Sequence, residues 1–196
     1  MQKKVQVSET VKKKRSKNAA AIADLKSANV EKITAAIKSF HTTGATEIVL
    51  PVIELWNNNP SVEIEKQIKE LIESLKDSST VEPLIDAYRN PEFQGLKRKM
   101  TTAFWNSKLD FSPFVSDFVL FAIEGDFLDA FEALTLIEQF ETGLSESSIM
   151  ECQLLLKEYF GTEDKRDEQK DVILADLALF LKKSDEESEL DDFYFE

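Results

Sequence analysis

The sequence predicts an all-α protein in which about five antiparallel helix pairs stack into an α-α superhelix. Three observations predict it. Apolar residues recur at spacings of three and four between about residues 19 and 183, and no convincing strand alternation interrupts them. Capping side chains and prolines punctuate these stripes where helices should begin. Similar helical segments return at a period of 32–35 residues, for example Ala36-Ile37, Leu71-Ile72, Ala103-Phe104 and Leu136-Ile137 at intervals of 35, 32 and 33.

Taken in order, helices are expected over 19–26, 30–42, 46–57, 60–77, 80–89, 91–107, 113–124, 127–141, 146–160 and 167–183. Val30, Ile33, Ile37 and Phe40 share one face of the second, and Asn29 can cap it; Lys32 at the third helical position excludes a reciprocal capping box. Val49, Val52, Ile53 and Trp56 line the third, and Ile64, Ile68, Leu71 or Ile72, and Leu75 the fourth. Pro51 and Pro83 fall near helix starts, where a kink or a shifted boundary is expected. Asn59-Pro60, Asn90-Pro91 and Ser112-Pro113 each read as N-cap followed by first helical residue. Asp126 can cap 127–141, and Gly161 closes the helix ending at Phe160.

In the first helices of successive pairs, VIELW (52–56), LIDAY (84–88) and VLFAI (119–123) superpose at offsets of 32 and 35. One such pair cannot bury its apolar face alone and must stack on neighbours, which is the physics of a solenoid. The units resemble HEAT repeats. AFWNSKLDFSPFVSDFVLFAIEGDFLDAFEALTLIEQFE (103–141) is similar to a stretch in an uncharacterised family of Bacteroidota HEAT-repeat proteins. The resemblance implies an armadillo-like scaffold and carries over no catalytic residue.

Charge separates the ends from this body. Residues 1–18 carry a net +6, the remaining chain −19, and SDEESELDDFYFE (184–196) holds seven carboxylates and no base. The expected organisation is a basic arm (1–18), a solenoid (19–183) and an acidic tail (184–196), both ends being solvated. No apolar run is long enough to span a bilayer or serve as a signal peptide, so a cytoplasmic protein is expected. The single cysteine, Cys152, lies in the series Ile149, Cys152, Leu156 and reads as a buried small hydrophobe.

Eight of the fourteen phenylalanines lie between Phe104 and Phe140. Phe111, Phe114, Phe118 and Phe121 share one helical face, and Phe127, Phe131 and Leu134 another. A central pair touches neighbours on several sides, so both faces are expected to be core. Trp105 stands about 100° from Phe104 and is expected to be partly exposed. With Arg98, Thr102, Lys97 and Lys108 it forms a candidate partner-binding patch in a segment, 89–108, of net +4. The blander alternative is that Trp105 packs on a neighbouring pair and the bases are solvated.

No catalytic, cofactor or metal signature is present. His41, the single histidine, suits a helix C-terminus, and Glu124, Asp126, Asp129 and Glu132 lack the glycine and ligand order of a calcium loop. Two function classes remain. One is a non-enzymatic intracellular adaptor or scaffold for a protein partner, with no membrane and no small-molecule substrate. The other is association with nucleic acid or ribosomes through the basic arm and the 89–108 patch, opposed by the acidic remainder. A base-modifying enzyme on this fold would need a basic concave face around an acid, and only the neighbourhood of Arg98 hints at one.

Overall fold

A computed structural model of the chain describes residues 18–43, 46–140, 143–162 and 167–194, with backbone alone at Thr43 and over 186–194. Among the described residues the regular elements are all helices, and the protein is all-α. They are α1 (18–25), α2 (Val30–Thr43), α3 (Val49–Asn57), α4 (Val62–Ser74) and α5 (Val81–Arg89). There follow α6 (Lys97–Asn106), α7 (Val115–Glu124), α8 (Phe127–Ile137), α9 (Glu146–Phe160) and α10 (Glu168–Tyr194).

Prolines and caps explain where these differ from expectation. Short 3₁₀ turns, Thr46–Ile48 and Ser78–Thr80, precede α3 and α5. Pro51 and Pro83 therefore fall third in their helices, among first-turn positions whose amides need no intrahelical acceptor. Asn59 does not cap α4: it adopts φ 50°, a left-handed conformation asparagine tolerates, and the cap is Ser61, whose hydroxyl accepts from the Ile64 amide. Asn90 does cap, accepting from the Glu92 amide at 3.0 Å. The expected helix 91–107 is broken, with a 3₁₀ stretch Pro91–Leu96 bent at Phe93 (φ −105°, ψ 15°) before α6. Ser112 is no cap either; its own amide donates to Asp110 Oδ1 at 2.9 Å. Asn29 caps α2 as expected, accepting from the Lys32 amide at 3.1 Å.

At the ends, Asn18 is buried and donates to Glu47 Oε1 at 3.2 Å, so the folded body already includes it. The rest of the expected basic arm, residues 1–17, lies outside the described residues. The last helix does not stop at 183: its backbone remains helical through Tyr194, since the glutamate- and leucine-containing segment needs no burial to continue a helix already nucleated.

The chain divides into two compact units. In the first, the described residues up to Leu96 with Asn106–Leu109, α2 packs on α4 and α3 on α5. The second comprises Lys97–Trp105 and the chain from Asp110 onward. Here α7 and α8 form a hairpin, α9 packs on α7, and α10 packs on α8 and α9. Phe104 and Phe111 stack at 4.3 Å between ring centroids, and Phe118 meets both edge-on at 6.3 Å.

Burial follows the repeat. Ala36-Ile37, Leu71-Ile72, Ala103-Phe104 and Leu136-Ile137 are all buried. So are Val49, Val52, Ile53 and Trp56, and the corresponding residues 32 positions on, Val81, Leu84, Ile85 and Tyr88. The next set is Val115, Phe118, Val119 and Ala122, at an interval of 34, so the segment equivalent to VIELW is Phe118–Ala122 and not 119–123.

Candidate functional site

On α6, Arg98, Thr102 and Trp105 sit at i, i+4 and i+7 and share a face. That face is turned to α8. Arg98 Nε donates to Asp129 Oδ1 at 2.6 Å, and Nη2 donates to both oxygens of Asp126 at 2.7 and 2.6 Å. One turn on, the Thr102 hydroxyl lies 3.0 Å from Glu132 Oε2. Further along, the Gln139 amide is placed to accept from the Trp105 indole N–H and to donate to the Trp105 carbonyl at 3.2 Å. The numbers rise together, so α6 and α8 run in the same direction along a polar seam.

Three of the five expected patch residues are thus brought together, chiefly against the protein itself. Trp105 is 36% exposed, between the two readings of it. Lys97 is half-buried away from the seam, and Lys108 is exposed in the other unit. The carboxylates, Asp129 first and then Asp126, raise the Arg98 pKa and hold the guanidinium charged.

The Asp126–Asp129 pair had a local role that the sequence half showed. Asp126 caps α8, accepting from the Asp129 amide at 3.0 Å, and Asp129 Oδ2 accepts from the Asp126 amide at 3.1 Å. This is a reciprocal box built from two aspartates. The Asp129 amide, and then Arg98, lower the Asp126 pKa. A depressed folded value stabilises above the unfolded pKa and loses that contribution as pH falls through the folded one. Urea midpoints measured from pH 5 downward should therefore fall more steeply for the native protein than for Asp126→Asn, which keeps the cap oxygen but cannot titrate. Parallel curves would remove Asp126 from the acid response.

Gly125 completes this corner. A Cβ there would overlap the Asp129 side chain close to its backbone, where no rotamer change relieves it. Gly125→Ala should cost about 2 kcal/mol or more by displacing Asp129 from its cap and from Arg98. An unchanged thermal midpoint would show that the corner yields freely.

From the other side comes Lys170, a residue the sequence reading passed over. It is buried, and its Nζ donates to the carbonyls of Ile123 at 2.9 Å and Gly125 at 3.0 Å. It also lies 5.1 Å from the Tyr159 ring centroid, and the Tyr159 hydroxyl donates to Asp171 at 2.8 Å. An ammonium thus closes the C-terminal end of α7, where a cation suits the helix dipole. One signal could have found it: Lys170 heads the stripe Leu174, Leu177, Leu181, where a base is out of place.

Two expectations for the phenylalanines part company. Phe111, Phe118 and Phe121 are buried, but Phe127 is 38% and Phe131 50% exposed, and neighbouring Leu128 is 52% exposed. The core arc of α8 is already filled by Ala130, Ala133, Leu134, Leu136 and Ile137. The Phe127–Phe131 stripe lies outside that filled arc, so its rings stay in solvent. Residues 111–141 contain seven carboxylates and no Lys, Arg or His. The cations described above, Arg98 and Lys170, reach this hairpin from α6 and α10.

Elsewhere, His41 Nδ1 lies 2.8 Å from Ser74 Oγ, in the last turns of α2 and α4. The Ser74 hydroxyl donates to the Leu71 carbonyl at 2.8 Å, so its proton is committed and the imidazole is the donor between them. That arrangement positions two helix ends and does not activate a nucleophile. Burial pushes the Cys152 thiol up to about 12, leaving it protonated. Among the described residues no cluster of three or more His, Cys, Asp or Glu is placed to hold a metal ion, and no helix is long and apolar enough to cross a membrane.

Compared with protein-family models, curated proteins and solved structures, the chain matches none.

Proposed function

We propose that the protein is a non-enzymatic intracellular adaptor, a short HEAT-like solenoid that binds a protein partner through the second unit. The observation that carries this reading is the outward stripe of Phe127, Leu128 and Phe131 on α8, a helix whose alanines are fully buried. Large aromatic side chains left in water beside a rigid, hydrogen-bonded seam suit an interface centre. Trp105 and Arg98 then act at its rim, with Arg98 holding α8 in place. The nucleic-acid alternative draws on the basic arm, and it faces a second unit that carries nine Lys and Arg against 24 Asp and Glu.

The test is affinity purification of the full chain from its native cell at low and at high salt, beside a Phe127→Ser/Phe131→Ser variant. The expected result is a protein that stays bound at high salt and is lost from the variant. Nucleic acid co-eluting from both forms, and released by salt, would overturn the adaptor reading in favour of the basic arm.

A further inference from the structure

We infer that the exposed face of α8 takes an apolar peptide segment bearing lysine or arginine at both ends, the kind of partner its charge selects. This rests on the adaptor reading and specifies the ligand of the same surface. The apolar centre is Phe127, Leu128 and Phe131 on α8, whose Gly125 corner Lys170 ties to the first turn of α10. The hairpin that carries it, residues 111–141, has no Lys, Arg or His; exposed Glu124 stands before the corner, and exposed Glu138 caps the far end of α8 about two turns beyond Phe131. Arg98 and Lys170 are occupied by their own hydrogen bonds.

Charge discriminates among the possible occupants. The second unit has a net charge of −15, from nine bases and 24 acids. A second copy meeting this face about a twofold axis would oppose like charge to like. An anionic lipid surface or a nucleic acid would be repelled in the same way. A cationic segment is drawn in, and its lysine or arginine stems can lie along the phenylalanines while the heads reach Glu124 and Glu138. Eleven residues of α8 give a face about 16 Å long, so the complementary segment is a helix of about three turns with apolar residues between its terminal bases. Residues 1–17 of this chain carry seven bases but, beyond Met1, only Val5, Val7 and Val11 to set against two phenylalanines and a leucine, so they fit the charge and not the apolar centre.

Three labelled peptides test this on the full-length protein by fluorescence anisotropy. They are a three-turn leucine/lysine amphipathic helix, its leucine/glutamate counterpart, and residues 1–17. In 0.3 M salt, where distant attraction is screened, the leucine/lysine peptide should bind at least 30-fold more tightly than the leucine/glutamate one. Phe131→Ser should weaken it at least 10-fold, and Glu138→Lys at least 5-fold. Both positions are exposed, and circular dichroism checks that the variants fold. Binding indifferent to Phe131→Ser would mean diffuse attraction and overturn the site. The 1–17 peptide binding as tightly and competing would make the chain's own arm the occupant and overturn the partner assignment. If the leucine/lysine peptide fails while a native partner still depends on Phe131, the cationic ligand is wrong and the adaptor reading stands. If no captured partner depends on Phe131, the adaptor surface itself falls.

Discussion

Phe118→Ala should lower folding stability by about 3–5 kcal/mol, while Phe131→Ala should lower it by less than about 1 kcal/mol. The two residues are of one type, thirteen positions apart on paired helices, and either would pass as core from its spacing. Phe118 is fully buried, edge-on to Phe104 and Phe111 at 6.3 Å and close to Phe140 at 6.2 Å. Its removal forfeits transfer energy and leaves a void that stacked rings cannot collapse to fill. Phe131 already spends half its surface in water, so truncation creates no enclosed cavity. Urea unfolding of both variants checks the contrast. Equal losses would place Phe131 in the core and remove the proposed interface.

Lys170→Met should cost about 2–4 kcal/mol, more than its position in a solvent-edge first turn suggests. Methionine keeps the length and apolar stem of the lysine and loses the ammonium. The carbonyls of Ile123 and Gly125 then lose a charged donor where the lysine lies buried. Hydrogen bonds from charged groups contribute about 1.5–3 kcal/mol each in favourable settings, and the two here share one head group. The loss should appear as earlier hydrogen exchange at the end of α7 as well as a lower midpoint. A change under about 1 kcal/mol would mean that water replaces the ammonium without penalty.

What the sequence made legible is what helices decide locally. The pairs Ala36-Ile37 through Leu136-Ile137 were marked by their period alone, and all eight residues are buried. Asn29 and Asp126 cap because a short polar side chain before a helix has few alternatives. Less legible was anything set by the helix lying across. Phe131 has core spacing, but Ala130, Ala133, Leu134, Leu136 and Ile137 already fill the buried arc of α8. Arg98, Thr102 and Trp105 were correctly grouped on one face, yet nothing in the segment 89–108 states that Asp126, Asp129, Glu132 and Gln139 stand opposite. The break at Phe93 was likewise hidden, because Pro91 suits the first position of either kind of helix. Tertiary choice of neighbour overrode pattern at these positions.

The Gly125 corner is clasped by residues that leave the ribosome at very different times. Arg98 precedes Asp126 by 28 residues, so that clasp can close as soon as the start of α8 is made. Lys170 follows Gly125 by 45 residues. At roughly 5–20 residues per second, the carbonyl end of α7 waits several seconds for its cation. During synthesis the hairpin is therefore latched on one side and open on the other. A chain that ends before α10 should expose the end of α7 to proteases while the contacts of Arg98 with Asp126 and Asp129 are already made.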